Sequence, residues 1–192
     1  GVDDSGAAGT LYFDDIRLYG RAPEFITPAD PGSEGLVAHY SLDNNANDSS
    51  GSGNNGTVEG TPDWVQGMVD GAMQFNGAST RVVAPHIPLD NRSFTVAMWI
   101  NPVLYTAEQV VFSQTQTSAT NTDMHFRLGG PGAASGNVPA GGVRMAFYGN
   151  DLDTAGGLIQ DNNWYHITFC YDFENQERSI YIDGVLAVQA SA

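Results

Sequence analysis

The stretch Trp164-Tyr-His-Ile-Thr-Phe-Cys-Tyr171, the polar connection Asp172-Phe-Glu-Asn-Gln-Glu177, and Arg178-Ser-Ile-Tyr-Ile182-Asp183-Gly184-Val185-Leu-Ala-Val188 together decide the fold class. Short runs rich in β-branched and aromatic residues alternate here with polar or glycine-containing breaks. Asp183-Gly184 lies between two apolar runs, and both central residues of a tight hairpin turn need the positive φ that Asp and Gly tolerate. The stretch therefore reads as three consecutive antiparallel strands. Working outward, the same punctuation recurs along the chain and predicts further strands near residues 10–19, 36–41, 56–59, 72–75, 80–84, 94–100, 110–114, 124–128 and 143–148. No window carries the apolar stripe of an amphipathic helix. So many strands in one chain argue for an all-β protein of two packed antiparallel sheets, a jelly-roll sandwich.

A length of 192 residues suits one large domain. Lys and Arg total 7, all of them Arg, against 22 Asp and Glu, for a formal net charge of -15. That balance argues against nucleic acid or an anionic membrane as partner, because phosphate binding depends on clustered Lys and Arg. Hydrophobic residues make up 41% of the chain, enough for a core, so the acid excess belongs to the surface. Divalent cations are natural partners for such a surface; solubility in a salty medium is the alternative reading. The single Cys170 forms no internal disulfide and reads as a small hydrophobe buried in a strand. No apolar run approaches the ~20 residues of a membrane span. Residues 1–8 have neither the basic start nor the apolar stretch of a signal peptide, so an export signal would lie outside this sequence. Residues 20–35 contain three prolines and read as a linker or long loop, and residues 129–142, almost all Gly, Ala, Pro and Ser, read as a mobile surface loop.

From Gly35 onward the chain resembles the laminin-G-like domains of the concanavalin A-like lectin and glucanase superfamily, in the form common in secreted bacterial proteins. The resemblance rests on six motifs in family order: Gly35-Leu-Val-Ala-His-Tyr-Ser-Leu-Asp43, Asp48-Ser-Ser-Gly-Ser-Gly-Asn-Asn-Gly-Thr57, Gly71-Ala-Met-Gln-Phe-Asn-Gly77, Phe94-Thr-Val-Ala-Met-Trp-Ile100, Trp164-Tyr-His-Ile-Thr-Phe169 and Tyr181-Ile-Asp-Gly-Val185. The departure is at the ends. A complete member closes with a strand of the type Ile-Asp-Asp-Val-Arg-Ile-Tyr, and here Leu11-Tyr-Phe-Asp-Asp-Ile-Arg-Leu-Tyr19 stands before the first strand instead. The expected organisation is thus a closing-type strand in residues 1–23, a linker in 24–35, and a C-terminally incomplete jelly roll in 36–192. The closing-type strand is either the tail of a preceding domain or a permuted last strand. In the second case it docks antiparallel beside residues 36–41, in the same molecule or by strand exchange with a neighbouring copy.

Calcium is the first candidate ligand. The Asp48 loop offers carboxylate, amide and hydroxyl oxygens, and its glycines let carbonyls turn inward, which suits a cation taking 6 to 8 oxygen ligands. In similar domains a structural calcium ion joins this loop to the closing strand, which by resemblance implicates Asp48, Asp15 or Asp14, whose carboxylates point to opposite faces of one strand, and Asn54; Asp43 is a further metal candidate. The alternative is that Asp48 makes a local Asx-turn.

Retaining glycosidases need two carboxyls about 5 to 5.5 Å apart, hence i and i+2 on a strand. The Glu-x-Asp-x-x-Glu strand of the glucanase branch has no match here. Asp151 and Asp153 have the spacing but sit in a segment that reads as a turn. His39, His86, His125 and His166 form no metal-binding pair, and no Gly-x-Ser-x-Gly elbow is present. His39 and His166 read as hydrogen-bonded sheet histidines.

Sugar binding uses aromatic faces and amide, carboxylate or guanidinium groups. By resemblance Trp99 and Trp164 are core positions, which leaves Trp64, Tyr105, Tyr148 and Arg127 as candidate ligand-binding residues. The expectation is a non-catalytic, calcium-stabilised carbohydrate-binding module on a secreted or cell-surface bacterial protein. A structural or adhesive protein-binding spacer and a divergent polysaccharide hydrolase or lyase are the alternatives.

Overall fold

A computed structural model describes residues 33–114, 121, 123–132 and 138–192 of the chain. Nearly all of these belong to one compact unit, Gly35–Ala192. The segment 10–19, with Asp14 and Asp15, and the linker 20–32 lie outside the described residues, as does the expected docking of that strand.

The strands in chain order are β1 Thr57–Glu59, β2 Asp63–Gln66, β3 Gly71–Gln74, β4 Arg81–Val83, β5 Phe94–Ile100, β6 Gln109–Gln114, β7 Met124–Leu128, β8 Val143–Phe147, β9 Asp151–Asp153, β10 Tyr165–Asp172, β11 Glu177–Ile182 and β12 Val185–Ser191. No helix occurs among the described residues, so none there is long and apolar enough to cross a membrane. Two four-stranded antiparallel sheets, β12-β11-β10-β5 and β6-β7-β8-β9, face each other, and two small ladders, β1-β4 and β2-β3, accompany them. The expected all-β sandwich is what the chain forms.

Alternation decides what goes between the sheets. Met124, Phe126 and Leu128 of β7 are buried, with His125 and Arg127 on the opposite face. Phe94, Val96, Met98 and Ile100 of β5 point the same way as Ile167 and Phe169 of β10, toward this core. The Phe126 ring stacks on the Phe169 ring from the other sheet at 4.2 Å between centroids. Burying these rings and the aliphatic side chains around them is the main force holding the sheets together, at roughly 1.5–3 kcal/mol per large side chain.

Several expectations need correction. β9 was expected as a turn but pairs with β8, Met145 opposite Leu152. Residues 63–66, assigned no element from sequence, form a ladder with β3. Residues 36–41, expected as a strand, make a single bridge among the described residues, Tyr40 to Asp48, because the Asp48 loop takes their backbone groups. The described parts of the 129–142 segment are tied down, since Gly129 N–H donates to Gly142 O, Gly141 N–H to Gly129 O, and Val138 is fully buried. Glycine is needed there: a Cβ on Gly130 would stand 1.7 Å from the Tyr105 carbonyl oxygen. Trp99 is the exception to its expected burial, standing 42% exposed on the outer face of β5 against His166 at 5.1 Å. Cys170 is half-buried on that same outer face, where the Thr95 hydroxyl meets its sulfur at 3.7 Å. His39 lies outside any strand, its ring nitrogen 2.8 Å from the Ser49 hydroxyl.

Candidate functional site at the loop end of the sandwich

Strand registers bring four connections to one end of the sandwich. β5 ends at Ile100 opposite Tyr165, where β10 begins. β6 begins at Gln109 opposite Leu128, the last residue of β7, and Val143 starts β8 beside it. Residues 101–108, 129–132, 138–142, 154–164 and the Asp183-Gly184 turn therefore gather here, and hydrogen bonds stitch them together. Leu104 N–H donates to Asp161 Oδ1 at 2.7 Å, Asn162 N–H to Pro102 O at 2.9 Å, and Gly157 N–H to Ala140 O at 2.8 Å. Gln109 braces the first loop by donating from Nε2 to Val103 O and accepting the Tyr105 N–H. Loops carried on a rigid sandwich in this way are where binding surfaces are usually built.

Two shallow depressions open at this end. One, of about 300 Å³, is walled by Leu104, Pro131, Ala140, Ile159, Gln160 and Asp161. The other, of about 400 Å³, is walled by Leu158, Tyr165, Ile182, Asp183, Val185 and Leu186. Tyr105 is the residue next to Leu104. It is 55% exposed and its ring rests on Gly77, where a Cβ would come within 3.3 Å of Tyr105 Cε2.

Arg127 belongs to the same end. On the outer face of β7 it pairs with Glu108, whose other oxygen accepts the Val138 N–H. Burial pushes the Glu108 carboxyl up, but the Val138 amide and the Arg127 and Arg144 guanidinium groups outweigh it and hold it below the usual range. Arg127 Nε is buried and has no hydrogen-bond partner among the described residues. Arg144 alongside takes Asp153 with two bonds, 2.6 and 2.7 Å, and Asp151 at 3.1 Å. The two carboxylates with glycosidase spacing are thus both bound to one guanidinium.

Tyr148 is exposed but stands in the β8–β9 turn, at the other end of β8, whose five residues span about 16 Å at ~3.3 Å per residue. Arg178, buried to 3% exposure, anchors that turn by donating to Asn150 O and Asn150 Oδ1, both at 2.8 Å. Trp64 is half-buried in the β2–β3 ladder opposite Met73. Of the four sugar-binding candidates, then, Tyr105 and Arg127 come together at the loop end, while Tyr148 lies elsewhere. Sequence reasoning missed Gln160 and Asp161, which carry no local signal. It also missed the outward face of Trp99, which alternation with Val96, Met98 and Ile100 indicates.

At the metal candidates, Asp48 spends its oxygens on its own loop and on the 36–41 segment. Oδ1 accepts the His39 and Ser50 amides and Oδ2 the Asn54 amide, each at 2.9 Å. The His39 amide leads in holding this carboxyl far below the usual aspartate range; burial opposes, and the Ser50 and Asn54 bonds add to the lowering. Asn54 donates from its side chain to Val37 O, and Asp43 accepts the Gly71 amide. Among the described residues, no three His, Cys, Asp or Glu side chains come together to hold a metal. Among the described donors, Asp48 Oδ2 accepts a single amide and keeps acceptor capacity that suits a calcium ion.

The family model of the concanavalin A-like lectin/glucanases superfamily matches residues 76–192. Among solved structures the chain is similar to domain 4 of AbnA, a GH43 extracellular arabinanase from Geobacillus stearothermophilus, in complex with arabinotriose. That similarity has 24% identity and a TM-score of 0.56 over 81% of this chain and 74% of that one. It is also similar to the binding domain of Paraclostridial Mosquitocidal Protein 1, at 17% identity and a TM-score of 0.52 over 76% of this chain and 37% of that one. None of the curated proteins compared matches the chain. Likeness at these identities is a likeness of fold. The family match covers more than half of the residues, and it agrees with the two-sheet architecture and with the order of the strand motifs: the chain belongs to the concanavalin A-like lectin/glucanases superfamily.

Proposed function

We propose that the chain is a non-catalytic recognition module that binds a glycan at the loop end of the sandwich, on a secreted or cell-surface bacterial protein. One observation carries this reading: at the loop end that bears the exposed Tyr105, its chain neighbour Leu104 walls a depression that also offers Gln160 and Asp161. An aromatic face takes the apolar face of a sugar ring, and amide and carboxylate groups take its hydroxyls. A depression of about 300 Å³ suits a short stretch of sugar. With a net charge of -15 and Asp161 in the wall, a neutral glycan is favoured over an acidic one.

The solved arabinanase domain of similar fold carries arabinotriose and belongs to an extracellular enzyme, which supports both ligand class and location by analogy. The binding of both Asp151 and Asp153 to Arg144 supports a role without bond cleavage. Calcium belongs to the proposal as a structural ion at the Asp48 loop, completed by Asp14 or Asp15 of the closing-type strand. That strand is proposed to dock beside residues 36–41 of its own or a neighbouring copy.

A glycan array followed by calorimetry on the best ligand tests the reading. Tyr105→Ala is expected to weaken binding about tenfold, the loss of one aromatic stacking contact, with the fold intact. Binding to no glycan would sink the proposal and leave the structural or adhesive spacer. Binding indifferent to Tyr105→Ala would move the site away from the loop end.

A further inference from the structure

We propose that Glu108 is the positioning residue of the loop-end depression: its carboxylate, anchored on the sheet by two arginines, holds residues 138–142 against residues 101–108 and so sets the walls between which a ligand lies. That the ligand is a glycan rests on the proposed function; the clamp stands on contacts alone. Glu108 immediately precedes β6, and its side chain is 11% exposed. One oxygen pairs with the Arg127 guanidinium on β7, while the other accepts the Val138 N–H at 2.8 Å and lies 3.8 Å from Arg144 Nη1 on β8. Val138 is fully buried, so its amide depends on this acceptor in place of water. Leu104, on the same connection as Glu108, is one wall of the depression, and Pro131 and Ala140 are another. Beside Pro131, Gly132 N–H donates to Thr106 O at 3.1 Å. The Glu108 side chain supplies the second tie between these walls, on the Ala140 side.

The charge matters because the partners differ in what they need. A neutral oxygen still accepts an amide, but a guanidinium largely withdrawn from water calls for a carboxylate. Among the described residues Glu108 is the one carboxylate paired with Arg127, whose Nε has no partner there either, whereas Arg144 also holds Asp151 and Asp153 of β9. Neutralising Glu108 therefore leaves the Arg127 charge without its counterpart and frees the side chain that reaches Val138. The charged groups facing Glu108 from the neighbouring strands are Arg127 and Arg144, with the two β9 aspartates behind Arg144. Burial raises the Glu108 carboxyl, and the Val138 amide with the two guanidinium groups outweighs it and holds the group below the ordinary glutamate range, near ~4.3. The clamp is thus closed at neutral pH and is lost as pH falls through that lowered value.

Amide hydrogen exchange of the unliganded chain at neutral pH tests the clamp without any ligand. Glu108→Gln is expected to speed Val138 exchange at least about tenfold relative to the amides of β7, the loss of a hydrogen bond to a charged group. Asp153→Asn, which takes from Arg144 its two-bonded partner and leaves Glu108 its own contacts, is expected to lower the melting temperature without that change at Val138. Calorimetry with the best glycan from the array then reads the site. Glu108→Gln is expected to bind it about tenfold more weakly, and the parent's affinity to fall below about pH 4 by a step that the variant lacks. Asp161 is present in both proteins, so the difference between them belongs to Glu108. Should Glu108→Gln unfold, Glu108→Asp, which keeps the charge and shortens the reach to Val138, is read in its place for exchange and affinity. Val138 exchange unmoved by the substitution, or raised as much by Asp153→Asn, would overturn the clamp. Equal glycan affinity in parent and variant would overturn its role in the site and leave the glycan reading intact. A parent that binds no glycan would remove the proposed function, while the exchange result still decides the clamp.

Discussion

Asp48 turns its carboxylate onto two amides of its own loop, Ser50 and Asn54, and onto the His39 amide of the preceding segment, and the consequence is a pH dependence. Its folded pKa lies below the unfolded one, so the stability it adds is present above the ordinary aspartate range, near ~4, and is lost as pH falls through the lower folded value. Asp48→Asn removes that contribution. In calcium-free buffer the melting temperature of the parent is expected to fall more steeply below about pH 4 than that of the variant; parallel acid limbs in scanning calorimetry would contradict the assignment. The sequence singled out Asp48 by its Asp-Ser-Ser-Gly loop and left open whether it bound calcium or its own backbone. The backbone partners emerge only when the turn brings Asn54 and His39 to opposite oxygens. Arg178 carried no signal at all, because an arginine between Glu177 and Ser179 looks exposed until the β8–β9 turn supplies Asn150 as its acceptor.

At the scale of elements, β5 separates what alternation writes from what a motif suggests. Phe94, Val96, Met98 and Ile100 share the core face, and the same period of two puts Trp99 on the other. Its place in a family motif suggested burial, and the phase of the strand decides otherwise. Met98→Ala is therefore expected to cost about 2–4 kcal/mol for the cavity it leaves, and Trp99→Ala about 1 kcal/mol for a lost contact with His166. Urea unfolding of the two variants checks this, and a larger loss at Trp99 would reverse the phase. β9 was not legible, since Asp-Leu-Asp beside Gly and Asn has turn composition. Pairing with β8 and the charge of Arg144 between the two acids make it a strand.

For the whole molecule, the net charge of -15 and the partial donor set at Asp48 set the response to ions. Calcium is expected to raise the melting temperature and EGTA to reverse the gain, by ligand linkage to the folded state. A midpoint unmoved by either would remove calcium from the proposal and leave Asp48 with its turn alone. The loop end is also a property of the whole. Tyr105, Asp161 and Arg127 come from three separate connections or strands, and the antiparallel registers alone place them at one end and Tyr148 at the other.

By itself, the sequence determined the all-β class, most strand positions, the acidic surface and the superfamily, because residue alternation, turn chemistry and net charge are local or additive properties readable along a chain. The tertiary structure decided which face of the sandwich each aromatic takes, which carboxylates are neutralised by arginine, and which loops meet to form a depression. Those depend on which strands pair and in what register, and pairing joins residues dozens of positions apart whose side chains carry no mark of one another until the sheets close.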